Sequence, residues 1–153
     1  GVVKGRWYPR VMESQDMSRA RGGRGADLVA LLRVGARCRY VVLWHLGVAV
    51  PHFDLLIEVA EGGVERRLLA WRLITPPEAW RWEETVAAER EEDHRATYLD
   101  YEGVVSGGRG TVRRVSAGQA EVVEIGLEMV VVRLRGGRVE LACTIALPRV
   151  MAG

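Results

Sequence analysis

The chain contains three histidines, and two of them, His45 and His52, fall with Asp54 inside the apolar run VVLWHLGVAVPHFDLLIEV at residues 41–59. An imidazole in such a run is either satisfied by hydrogen bonds or holds something. Alternation from residue 52 onward puts Phe53, Leu55, Ile57 and Val59 on one face of a strand, and His52, Asp54, Leu56 and Glu58 on the other. His52 and Asp54 are therefore neighbours on the side opposite the main apolar row. At this spacing one imidazole nitrogen and one carboxylate oxygen reach a common divalent ion at about 2.0–2.2 Å. His45 ends the preceding strand, and the return LGVAVP lets a hairpin bring it beside His52. Two imidazoles and one carboxylate with open positions suit Mn, Zn or Fe better than Mg or Ca.

A lone H-x-D in a strand is common and more often means a satisfied polar pair than a metal site. The third histidine shifts that balance. His94 stands in EDHRATYLDYEG, after an acidic run and before Tyr98, Asp100 and Glu102, a composition that reads as a functional loop leading into a strand. Other chemistries find no residues: there is no G-x-S-x-G elbow, no phosphate-binding loop and no Cys-His arrangement. GGRG at 107–110 lacks the Lys-Ser/Thr and helix of a phosphate cradle and reads as a turn, from which Arg109 reaches toward an anionic ligand.

The elements that must position these residues are short β-rich runs. Strands are expected over 39–45, 52–59, 64–74, 111–115, 121–125, 127–134 and 138–146, with one more near 85–90. Turns are expected at EGG (61–63), SAGQ (116–119) and RGG (135–137). The stretch PPEAWRWEETVAAEREED is read as loop plus short strand, and residues 27–36 as a short helix. The fold class is all-β: a compact antiparallel β-barrel of about seven to eight strands, preceded by a flexible basic N-terminal arm.

In 153 residues there is room for one domain with a real core. Its organisation is expected as a basic arm with a short helix over 1–37, the barrel over 38–147 and a tail over 148–153. The net charge of +2 hides an asymmetry, because residues 1–40 carry nine Lys and Arg against three Asp and Glu. A basic arm on a mildly acidic body points to a polyanionic partner such as nucleic acid. Cys38 and Cys143 belong to no CxxC pair or disulfide framework and read as small packing residues in a reducing compartment. No uninterrupted apolar stretch is long enough to span a membrane, so a soluble, cytoplasmic protein is expected.

Taken together, VVLWH (41–45), HFDLLIE (52–58), AWRLITPP (70–77), DHRATYLDYEG (93–103) and GGRGTV (107–112) resemble the 3′-phosphoesterase domain of bacterial DNA ligase D and its stand-alone relatives, over residues 38–147. All three histidines land on motif positions. The resemblance implies a Mn-dependent barrel, with Zn or another transition metal as alternatives, that removes 3′-phosphate or 3′-ribonucleotide groups from DNA or RNA ends in repair. A ligase or polymerase of end joining is the implied partner. Carried over by position, His45, His52 and Asp54 bind the metal, His94 contacts the phosphate, Tyr98 supports catalysis and Arg109 assists substrate binding. Two departures stand out: Leu56 occupies the place of the family's arginine, and the interval from His45 to His52 is one residue longer, a surplus expected to be absorbed at Gly47. Leu56 motivates a rival expectation, a catalytically weak nucleic-acid-end binding module or repair scaffold on the same barrel. Hydrolysis of a small phosphodiester is a third.

Overall fold

The structure, a computed structural model, describes residues 28–59, 67–80, 86–137 and 141–151. Eight antiparallel strands form a single sheet: β1 (Arg37–Leu46), β2 (His52–Val59), β3 (Arg67–Leu73), β4 (Ala88–Arg95), β5 (Gly103–Val104), β6 (Thr111–Ile125), β7 (Met129–Gly136) and β8 (Leu141–Pro148). The order is β4-β3-β2-β1-β6-β7-β8, with the short β5 added to β6. The sheet curls until its edges β4 and β8 come together without pairing. Side chains bridge that seam, the Trp71 indole donating to the Pro148 carbonyl at 2.8 Å and the Arg90 guanidinium to the Arg149 carbonyl at 3.2 Å. The all-β, barrel-like fold agrees with the strand pattern of the sequence.

Two cores lie on opposite faces of this sheet. The inner core holds Tyr40, Val42, Leu55, Ile57, Leu69, Trp71 and Leu73 together with apolar residues of β6, β7 and β8. The outer one holds Val41, Leu43, Leu56, Leu68 and Ala70, covered by Tyr98, Leu99, Tyr101 and Val105 of the segment between β4 and β6. Strands β1, β2 and β3 are thus buried on both faces, which is why they read as near-continuous apolar runs. β7 has one wet face and alternates. The outer face of the doubly buried strands carries His45, His52 and Asp54.

Several expectations need correction. Residues 111–125 form one strand, not two joined at SAGQ. Gly118 sits where β6 crosses close to β7: a Cβ there would lie 2.2 Å from the Arg135 carbonyl oxygen, so the glycine serves backbone approach rather than a turn. Residues 77–80, expected as loop, form a one-turn helix, α1 (Pro77–Trp80), whose Trp80 indole donates to the Thr75 carbonyl at 2.9 Å, while the short strand expected near 85–90 corresponds to β4. The helix expected over 27–36 is reduced to a 3-10 turn at Leu28–Leu31. Leu28, Val29 and Leu32 join the inner core, and Gly35 and Ala36 bond to Val122, so this segment packs with the barrel rather than trailing as an arm. The arm over 1–27, the EGG turn and Thr85 lie outside the described residues.

Cys38 and Cys143 are not disulfide-bonded, and burial, with the Glu58 charge, pushes the Cys38 thiol up to about 11, leaving it protonated and unreactive. Among the described residues no helix is long and apolar enough to cross a membrane.

Candidate metal centre

Register builds the site. His45 and His52 are direct partners across β1 and β2, their rings 4.9 Å apart at 63°, and Leu43 faces Asp54. Gly47 (φ 74°) turns the chain between the strands, so the longer interval does not carry His45 away from His52. Across the other edge of β2, Asp54 faces Arg72 of β3.

His94 was expected in a loop but lies in β4, and a bulge decides where it points. Leu68 pairs with His94 and Ala70 with Glu91, so that one residue of β3, Leu69, lies opposite two of β4, Glu92 and Asp93. The extra residue puts His94 and Glu91 on one face although an odd number of positions separates them. One cleft of about 180 Å³ is consequently lined by His45, His52, Asp54, Arg72, Glu91, Glu92, His94 and Arg109.

The three imidazoles share one arrangement. His45 Nε2–H donates to the Arg109 carbonyl at 2.6 Å, His52 Nδ1–H to the Val50 carbonyl at 2.8 Å and His94 Nδ1–H to the Glu92 carbonyl at 2.8 Å. A backbone carbonyl on one ring nitrogen fixes the tautomer and leaves the other nitrogen as a lone-pair donor, the usual setting of a metal-bound histidine. For His45 and His52 that nitrogen approaches Asp54: His45 Nδ1 is 3.4 Å from Oδ2 and His52 Nε2 is 3.2 Å from Oδ1. Asp54 is 1% exposed. Neither His45 Nδ1 nor Asp54 Oδ1 makes an aligned hydrogen bond among the described residues. Lone pairs facing lone pairs in a buried site repel unless a proton or a cation lies between them. The buried His45, His52 and Asp54 have the donor types and spacing to hold a metal ion.

Electrostatics agree with a site kept charged against its burial. Burial pushes the Asp54 carboxyl up, but the His45 and His52 imidazoles and the Glu91 carboxyl more than offset it and hold Asp54 well below the carboxylate range. Burial opposes the charged form of His52 too, and Asp54 outweighs it, so this imidazole titrates above its ordinary value. Glu91 is pushed up to about 8 by burial and by the Asp54 charge, with Arg72 pulling the other way. Burial lowers His94 and leaves it neutral at pH 7.

A divalent ion at Asp54 would cancel the charge that raises both the Glu91 carboxyl and the His52 imidazole. Metal binding is therefore expected to release protons, in a number that falls as the pH climbs through about 8, where Glu91 ionises without help. Titration calorimetry in buffers of different ionisation enthalpy reads that number directly. Without metal, the raised Glu91 adds stability that is full below its unfolded value near 4.5 and lost as the pH climbs through 8. The metal-free protein accordingly loses Tm over that window on account of Glu91.

The GGRG turn holds His45 in place through the Arg109 carbonyl, and backbone contact holds the turn. Gly110 has φ +77°, and a Cβ on it would lie 1.8 Å from the Leu46 carbonyl oxygen. Gly110→Ala forces the turn off β1 and removes the His45 anchor, so any divalent ion held at His45, His52 and Asp54 is expected to bind roughly 10–100-fold more weakly. Direct metal titration checks it, and unchanged affinity would show that the Arg109 carbonyl is dispensable.

Every sequence-expected residue except Tyr98 lines the cleft. Tyr98 is wholly buried, with its ring edge-on to His94 at 5.9 Å, so it positions that histidine from behind. Sequence reasoning missed Arg72 and Glu91. Arg72 had a signal, as the one charged residue in LLAWRLI (68–74); Glu91 had none, because the β4 bulge sets its direction. A scan against protein-family models finds no match to this chain, and neither does a search of curated proteins.

Proposed function

We propose that the protein is a metal-dependent phosphoesterase that removes 3′-terminal phosphate or ribonucleotide groups from DNA or RNA ends. One observation carries the reading: three imidazoles, each tied by one nitrogen to a backbone carbonyl, present the other to a cleft centred on the buried Asp54. His45, His52 and Asp54 hold the ion, with Mn favoured and Zn or another transition metal as alternatives. Such an ion would supply Lewis-acid chemistry, drawing charge from a phosphoryl oxygen and making water a better nucleophile near neutral pH.

The chain's own residues supply the rest. With Nδ1–H given to the Glu92 carbonyl and burial keeping the ring neutral, His94 has Nε2 available to accept a proton from water and return it to the departing 3′ oxygen. Tyr98 keeps that ring from turning. Arg109, exposed on the lip of the cleft, meets the anionic end as it enters.

The test is release of phosphate from a 3′-phosphorylated primer-template in the presence of Mn, beside a chelated control and a model phosphodiester. Mn-dependent release supports the reading, and activity on the diester alone moves it to small substrates. Ion binding with salt-sensitive retention of DNA ends and no turnover favours the end-binding module instead.

A further inference from the structure

We infer that Arg72 is the guanidinium that grips the phosphoryl group in this cleft, an inference that rests on the phosphoesterase reading of the same site. β3 is buried on both faces from Leu68 to Trp71, and Arg72, with its side chain 40% exposed, is the residue at which the strand opens to the cleft. Arg72 projects from it onto the face that carries Asp54, its register partner, and lines the cleft with His45, His52 and His94. Its Nη2 lies 3.1 Å from Glu91 Oε2, an ion pair that ties the guanidinium to β4. Its Nε is buried and has no hydrogen-bond partner among the described residues. A buried guanidinium N–H without an acceptor costs stability, and the exposed part of the same side chain offers the donors of its fork to a phosphoryl oxygen in the cleft.

Arg109 also lines the cleft but stands exposed on a turn, whereas Arg72, half-buried, is fixed by its strand register opposite Asp54 and by its ion pair with Glu91. Asp54, Glu91 and His94 also have metal-like spacing. Arg72 answers that possibility, because its own positive charge already sits on Glu91 and leaves a second divalent ion facing a guanidinium. The cleft then holds one ion at Asp54 and one guanidinium beside it, two positive centres for different oxygens of one phosphoryl group.

Calorimetric titration of the Mn-loaded full chain with inorganic phosphate tests this without turnover. Arg72→Gln is expected to weaken phosphate binding by at least ~10-fold, the loss of a charge-assisted hydrogen bond, while Mn is still bound at least as tightly, because the substitution removes a like charge from beside the ion. Arg72→Lys keeps the charge without the fork and is expected to lose less; it also serves if the Gln variant fails to fold. Arg133→Gln, which removes the same charge from a surface pair with Glu121, leaves phosphate affinity unchanged. Wild-type-like phosphate affinity in both Arg72 variants overturns the assignment, as does absence of phosphate binding by the wild-type protein or a stoichiometry of two Mn ions per chain. Phosphate binding that depends on Arg72, with no phosphate released from a 3′-phosphorylated primer, upholds Arg72 as the anion grip and removes the phosphoesterase reading.

Discussion

On the proposed phosphoesterase reading, Asp54→Asn is expected to abolish divalent-ion binding and to lower Mn-dependent release of a 3′-phosphate by roughly a thousandfold, the scale of a metal's several kcal/mol of transition-state stabilisation. Among the described residues Asp54 belongs to both groups with metal-ligand spacing, and it lies at hydrogen-bonding range of two imidazoles. Asparagine keeps the shape, removes the charge and turns one oxygen into an N–H₂ that points donors where the ion needs a lone pair. Thermal melts separate this loss from misfolding. Mn at a hundred times its Kd stabilises the wild-type protein by about 2.7 kcal/mol, a rise in Tm of roughly 8 °C for a chain this size. The variant melts cooperatively at one temperature with or without Mn. A Mn-dependent rise that survives in Asp54→Asn would place the ion elsewhere.

How much of this was legible in the sequence depends on how far each feature is local. β2 was readable to the residue, because alternation within one strand fixes both faces and thus the partnership of His52 with Asp54. The pairing of His45 with His52 was readable as well, since a hairpin is short-range. SAGQ misled because glycine marks both tight turns and close backbone crossings, and only the approach of β7 distinguishes them. His94 lay on a motif, yet its direction depends on a bulge whose extra residue appears only when β4 is laid against β3. The same long-range register brings Arg72 to Asp54. From sequence alone, Leu56 marked a missing cation; the neighbouring strand carries one.

That relation sets the expectation for Leu56→Arg. If the cleft lacked a guanidinium, restoring one at this position would raise activity. Leu56 is fully buried, however, in the outer core with Val41, Leu43, Leu68 and Ala70, beneath Tyr98 and Leu99. An arginine there adds volume to a packed layer and draws a charge out of water, with Asp54 already engaged by two imidazoles and Glu91 by Arg72. The combined cost is about 4 kcal/mol, of the order measured for uncompensated buried charges, or a fall in Tm of roughly 12 °C. Displacing Tyr98 also loosens the ring that packs edge-on against His94, so activity falls even in the fraction that remains folded. Melting curves and phosphate release from the same preparation check both parts. A variant that keeps its Tm and gains activity would mean that the new guanidinium threads past Tyr98 into the cleft, and that Arg72 does not serve the phosphoryl group alone.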